Sequence, residues 1–305
     1  MWLIIRSLRP FNLIIVGATQ LLFYFLLFAP LTKFEIALSM HPTLIFWFTL
    51  CTIVISASGY VINDYFDIDS DKINHKDKSL NDPNSLLIIY YSLMFAGLLI
   101  AFGISYQMNK LALTFIYLVA TSILYLYSAW FKSIPLTGNI IVAAFSSAVF
   151  LILFAAEVDA ISLLKSTNKY EYNELLNLMI FFGFFAFSMS LFREIVKDIQ
   201  DIEGDRQQGL KTFPVVFGIE RSKILAGFVG IILFFSLVTW AYYSGLLSII
   251  NFTFYYFIFA LLVPLSYLIY KTIKFSDHKE FAFSSQASKI IMILGLILIM
   301  LIKWI

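Results

Sequence analysis

The chain has 305 residues, of which 61% are hydrophobic, 18% aromatic and 13% charged, with 21 basic and 19 acidic side chains and a formal net charge of +2. So few charges cannot cover the surface of a water-soluble protein of this size, which excludes an ordinary cytosolic globule, a disordered chain and a nucleic-acid binder. A polytopic membrane protein remains, and the near-zero net charge says nothing about partners.

Two arginines, Arg6 and Arg9, precede an apolar run from about Leu13 to Leu31. That run is too long for a signal-peptide core and lacks a small-residue cleavage site, so it reads as a retained first span. A span needs about 20 mostly apolar residues. Nine such segments follow one another at 11–32, 42–62, 85–106, 110–131, 138–158, 175–195, 222–244, 246–270 and 285–305. The expected fold is therefore an all-α membrane protein of about nine transmembrane helices. No stretch of 50 residues has ordinary soluble composition, so residues 1–305 read as a single polytopic domain. The connecting segments are short and polar, with two longer ones at 63–84 and 196–221 and a third, less charged, at 159–174.

Lys and Arg fix the orientation. With a cytoplasmic N-terminus, 16 of the 21 basic residues fall on the inner side and five, Lys33, Lys110, Lys165, Lys169 and Lys303, on the outer side. The C-terminus is then outside, in the cell membrane. Cys51 stands alone inside an apolar run, which excludes a disulfide framework and reads as packing. His41, His75 and His278 sit near span ends without metal-ligand spacing. Glu157 and Asp159 close span five as surface caps, and Gly103 and Gly183 read as close helix contacts.

The acids follow another logic. Segment 63–84 and its flank hold Asp64, Asp67, Asp69, Asp71, Asp77 and Asp82; the second region holds Glu194, Asp198, Asp201, Glu203, Asp205 and Glu220. Acidic residues contribute little to topology, so orientation does not account for the clustering. Asp64, Asp67 and Asp71 stand at i, i+3, i+7, and so do Asp198, Asp201 and Asp205. These offsets fall within roughly 60° of arc, one face of a helix. Three like charges on one face repel unless a cation lies among them. Two such faces opposed would form an oxygen-rich pocket suited to Mg²⁺, which takes one or two carboxylates, waters and phosphate oxygens. A calcium loop over Asp67–Lys78 fails, because its sixth and twelfth positions are Lys72 and Lys78 instead of Gly and Glu.

Arg193, Lys197, Arg206 and Lys211 accompany the second trio, with Lys72 near the first and Lys132 ending span four. Carboxylates, metal and cations together suit a diphosphate. An ion-coupled transporter is the reading from another class. Almost no acid lies mid-span, and Pro264 alone interrupts a later helix, so that reading is disfavoured.

Asn63-Asp64-x-x-Asp67-x-x-x-Asp71 resembles the first aspartate-rich motif of the UbiA-type intramembrane prenyltransferases. Asp198-x-x-Asp201-x-x-x-Asp205, running into Lys211-Thr212-Phe213-Pro214-Val215, resembles the second. Tyr127-Ser128-x-x-x-Lys132 with Gly138-Asn139 is similar to the family's element between spans four and five, its Tyr-to-Lys spacing one residue longer than usual, and Arg9-Pro10-x-Asn12 is similar to the entry to span one. The resemblance implies a helical bundle around a central cavity with a cytoplasmic polar cap. It implies Mg²⁺-dependent prenyl transfer from a prenyl diphosphate to a lipophilic acceptor. Asp64, Asp67, Asp71, Asp198, Asp201 and Asp205 would hold metal, and Arg9, Asn63, Lys132, Arg193, Lys197 and Lys211 would contact diphosphate. An apolar and aromatic lining would keep water from the developing allylic cation. From Arg193 to Asp205 the sequence is most similar to the digeranylgeranylglyceryl phosphate synthase branch, whose acceptor is geranylgeranylglyceryl phosphate. Aromatic acceptors such as 4-hydroxybenzoate or a naphthoate are the alternative within the family. No obligate protein partner is expected.

Overall fold

A computed structural model describes residues 7–68, 82–248, 250–275 and 277–302. Among the described residues every regular element is helical, and nine helices are long and apolar enough to cross a bilayer. They are α1 (Pro10–Phe34), α2 (Pro42–Phe66), α3 (Pro83–Gln107), α4 (Ala112–Ala129), α5 (Thr137–Ala156), α6 (Lys169–Gln207), α7 (Ile219–Tyr243), α8 (Phe252–Lys274) and α9 (His278–Leu301). Each falls on one predicted span. Large apolar side chains such as Phe95, Phe115, Phe228 and Phe259 are exposed, as lipid-facing positions require.

Several helix bounds differ from expectation, those of α6 and α8 for clear local reasons, while α9 begins at His278, seven residues early. Helix α6 runs 39 residues, well past its apolar stretch, because polar residues end hydropathy without ending a helix. Helix α8 starts six residues late, since Gly245 turns the chain at φ 73 and the Asn251 side chain caps the helix through Phe254 N–H at 3.0 Å. The two spans with an interior proline share one device. A π-helical turn, Tyr24–Phe28 in α1 and Phe257–Leu262 in α8, lies just upstream of Pro30 and Pro264. Proline cannot donate to the helix ladder and its ring crowds the carbonyl four residues back, and a wider turn relieves both.

The chain forms two compact units. One comprises the chain up to Phe131 with Val149–Asn173; the other comprises Lys132–Ala148 with the chain from Glu174 onward. In the first, α2 packs against α1, α3 and α4. Glycine lets the helices approach: a Cβ on Gly97 of α3 would sit 2.6 Å from Ile55 Cγ1, and one on Gly59 would lie 3.0 Å from Leu124. Cys51 is buried against α3, its thiol donating to the Gly97 carbonyl at 3.3 Å. Thr52 and the Tyr117 hydroxyl share a hydrogen bond of 2.8 Å.

This unit also holds a buried acid that composition alone misplaces. Glu157 is 0% exposed instead of capping a surface. Its carboxylate accepts from the backbone N–H groups of Ser39 at 2.7 Å and Met40 at 2.9 Å. Lys110 donates to Ser39 Oγ and the Ala156 carbonyl and pairs with exposed Asp159 at 2.8 Å. Burial pushes the Glu157 carboxyl up from its ordinary value, against the lowering effect of its two backbone donors and Lys110.

In the second unit α7 packs on α8, and α8 on α9. Cβ atoms on Gly230 and Gly227 would press on Ile269 and Ile273 at 2.6 and 2.8 Å, and one on Gly295 would fall 2.2 Å from the Phe185 ring. Phe181 of α6 stacks on Trp240 of α7 with ring centroids 3.8 Å apart. Ser147 of α5 donates to the Gly183 carbonyl at 2.9 Å, so Gly183 is a helix contact as expected. Gly103 is not: nothing lies within 4 Å of its Cβ position, because it faces outward on α3.

Candidate functional site

The two aspartate motifs sit on the two most buried spans. In the most apolar stretch of α2 and of α6, 61% of residues are buried, against 22–39% in the other seven. Each motif therefore lies at the end of a helix that its surroundings hold firmly.

The first motif closes α2. Asp64 lies in the last helical turn and is buried, whereas Asp67 is the capping residue, φ −94 and ψ −2, after the helix stops at Phe66. At the cap Asp67 keeps right-handed backbone, and its N–H bonds back to the Asn63 and Asp64 carbonyls. Asp71 lies outside the described residues. Asn63 donates its amide to Asp67 Oδ2 at 2.7 Å, which orients that carboxylate. The Arg9 guanidinium donates to Asp64 Oδ1 at 3.1 Å and rests over the Tyr60 ring, 4.9 Å from its centroid. Arg9 is a left-handed residue, φ 50 and ψ 60, directly before Pro10, and its carbonyl accepts the first N–H bonds of α1 from Asn12 and Leu13. A following proline disfavours the right-handed helical region, and the positive φ is a strained alternative held by these contacts.

The second motif is helical throughout. Asp198, Asp201 and Asp205 share one face of α6, which is the arrangement that their spacing predicts. Asp198 Oδ2 accepts from the Asn139 amide of α5 at 2.8 Å, and Asp205 Oδ2 accepts from the Thr212 hydroxyl at 2.9 Å. Both donors are buried, 7% exposed. Thr212 reaches back because Gly209, φ 70, turns the chain after α6, with the Leu210 N–H closing on the Asp205 carbonyl at 2.9 Å.

Among the expected diphosphate contacts, Arg193 pairs with its neighbour Glu194, which is buried one turn before Asp198. Lys197 is half-buried on α6, Lys211 is exposed beyond its end, and Lys132 is half-buried in the turn Phe131–Ser133. Asp82 leaves the chemistry altogether. It caps α3, accepting from Asn84 N–H, Ser85 N–H and Ser85 Oγ, and the Ser85 hydroxyl holds its carboxyl below the usual range.

All the carboxylate and amide donors of the motifs are hard oxygens or lie beside them, which fits Mg²⁺ and not a soft metal. Among the described residues no group of three His, Cys, Asp or Glu is gathered into a ready cage. Seven residues of helix span about 10 Å, so Asp198 and Asp205 cannot both grip one ion. Mg²⁺ is content with one or two carboxylates and completes its shell with water and phosphate. Asn139 and Thr212 were legible only as parts of motifs; their roles come from contacts across 59 and 7 residues of sequence.

The chain is similar to known proteins in sequence and in fold. The UbiA prenyltransferase family matches residues 22–290. A digeranylgeranylglyceryl phosphate synthase of Methanospirillum hungatei is 30% identical over 221 residues, 72% of this chain and 70% of that protein. The synthase of the same name from Thermococcus sibiricus is 33% identical over 223 residues, again 72% and 70%. A solved structure of a digeranylgeranylglyceryl phosphate synthase shares the fold with a TM-score of 0.66 at 23% identity, covering 98% of this chain and 96% of that one. A UbiA homologue from Archaeoglobus fulgidus, solved with DMAPP and Mg²⁺, shares it with a TM-score of 0.58 at 18% identity, covering 98% and 99%.

Proposed function

Because the chain belongs to the UbiA prenyltransferase family and is an integral membrane prenyltransferase, we propose that it makes an ether lipid. It transfers a geranylgeranyl group from geranylgeranyl diphosphate to the free hydroxyl of geranylgeranylglyceryl phosphate and releases diphosphate. The observation that carries this choice of acceptor is the identity of 30% and 33%, over 72% of the chain, with proteins named for that activity. The reading covers the whole chain as one functional domain, since the family match runs from 22 to 290 through residues of both compact units.

In this reading Asp64, Asp67 and Asp71 of the first motif and Asp198, Asp201 and Asp205 of the second hold Mg²⁺. When bound, Mg²⁺ supplies positive charge to the oxygens of the departing diphosphate. Asn63 orients Asp67 through its 2.7 Å bond, and Lys132, Lys197 and Lys211 offer charge to the diphosphate. Arg9 and Arg193 join them by exchanging a carboxylate partner, Asp64 or Glu194, for phosphate oxygen. The allylic C–O bond breaks with its electron pair going to diphosphate, and a lone pair of the acceptor oxygen forms the new C–O bond. The acceptor's proton passes to a motif carboxylate or to the released diphosphate. The basic-residue distribution supports a cytoplasmic N-terminus and cytoplasmic aspartate motifs in the cell membrane.

The test is a parallel acceptor screen. Purified chain in liposomes receives labelled geranylgeranyl diphosphate with geranylgeranylglyceryl phosphate, 4-hydroxybenzoate or a naphthoate, with Mg²⁺ or EDTA. Mg²⁺-dependent labelling of the glyceryl lipid is expected. Labelling of an aromatic acceptor alone overturns the acceptor assignment. Asp67→Ala and Asp201→Ala should remain membrane-inserted and lose at least about 100-fold in turnover; near-normal rates overturn the metal assignment.

A further inference from the structure

Beyond the aspartates themselves, we propose that Asn139 and Thr212 are positioning residues for the second motif, fixing Asp198 and Asp205 in the orientation that binds metal. This rests on the metal reading above and adds two residues to it. Each donates to one carboxylate oxygen, Oδ2, of a terminal aspartate of the trio, at 2.8 and 2.9 Å. Each is buried, so neither bond is readily exchanged for water. The donors are neutral. A Lys or Arg in their place would cancel the carboxylate charge that a cation needs, whereas an amide or hydroxyl locks the side chain and leaves its charge intact.

Both donors are themselves rigidly placed. Asn139 stands in the first turn of α5, whose entry is set by Leu136 at φ 63, a strained value for a branched side chain. The Leu136 carbonyl accepts the Ile140 N–H at 2.9 Å, which fixes the start of the helix. From there α5 runs antiparallel along α6 on further polar contacts. Ser146 and Ser190 hydroxyls meet at 2.9 Å, and Ser147 reaches the Gly183 carbonyl at 2.9 Å. These fix the register that brings position 139 opposite position 198. Thr212 is the N-cap of the short helix Phe213–Phe217 and is returned toward α6 by the Gly209 turn. Two separate elements thus converge on the two ends of one trio.

The test measures metal alone. Mn²⁺ binding to the full-length protein in nanodiscs is followed by electron paramagnetic resonance, without substrate, for wild type, Asn139→Ala, Thr212→Val, Ser146→Ala and Asp201→Ala. Thr212→Val keeps shape and removes only the hydroxyl, so it reports even where Asn139→Ala perturbs folding. Loss of a bond that orients a ligand typically costs 10- to 100-fold in metal affinity. Asn139→Ala and Thr212→Val should therefore weaken Mn²⁺ binding by about 10-fold or more, with Ser146→Ala within about twofold of wild type, and excess Mg²⁺ should restore turnover in both. Wild-type affinity in Asn139→Ala and Thr212→Val overturns the proposal. So does equal weakening by Ser146→Ala, which would make α5–α6 packing the cause. Failure of the wild type itself to bind Mn²⁺, or undiminished binding in Asp201→Ala, instead overturns the metal reading beneath it.

Discussion

A carboxylate with no access to water survives only where other groups replace its hydration. Glu157 has the Ser39 and Met40 N–H groups and the nearby Lys110 ammonium, which draws together three chain segments far apart in sequence. Replacing it with Ala leaves two buried backbone donors without their acceptor. Glu157→Ala should lower stability by about 2–4 kcal/mol, read as a fall in thermal midpoint in detergent. The pH dependence has a definite sign. The folded-state pKa lies above the unfolded one, so the folded protein holds the proton more tightly. Its contribution to stability is complete below the ordinary glutamate range and is lost as pH rises through the raised value. A wild-type midpoint that declines over that window, with the decline absent in Glu157→Ala, is the expected result. Residues of this kind were the hardest to read from sequence. The trios were visible because their partners are three and four positions away, whereas Glu157 and Asn139 take their meaning from groups 118 and 59 positions distant.

At the scale of elements, hydropathy located each spanning helix among the described residues because a bilayer enforces about 20 apolar residues whatever else the helix does. It missed where helices end, since α6 continues through Asp198, Asp201 and Asp205 on backbone hydrogen bonds that polar side chains do not interrupt. It also could not rank glycines. The glycine on a helix matters when another helix lies against it, and that is a property of the packed pair. Gly295→Ala would drive a methyl into the Phe185 ring and should cost about 1–3 kcal/mol. Gly103→Ala meets open space and should be neutral or stabilising by up to about 1 kcal/mol, through helix propensity alone. Paired thermal melts of the two variants in the same detergent check both; equal shifts would contradict the packing described.

For the whole molecule, the orientation carried by 16 inner and five outer basic residues predicts where water-borne reagents reach. In a Cys51→Ala background, a single cysteine at Lys211 should be labelled by an impermeant thiol reagent only from the cytoplasmic face, and one at Lys169 only from the outer face. Reversed labelling would invert the topology. The length of α6 has a kinetic consequence. Its 39 residues extend about 58 Å, nearly twice the roughly 30 Å of hydrocarbon, and the three aspartates occupy its final ten residues. A donor whose charged head meets those aspartates while its chain stays in the acyl layer is already oriented by the bilayer before it meets the protein. The concentration that governs turnover is then two-dimensional, the mole fraction of donor among lipids. Adding inert phospholipid at fixed bulk donor and enzyme should slow the reaction in proportion to surface dilution, while diluting the liposomes with buffer should leave the rate per enzyme unchanged.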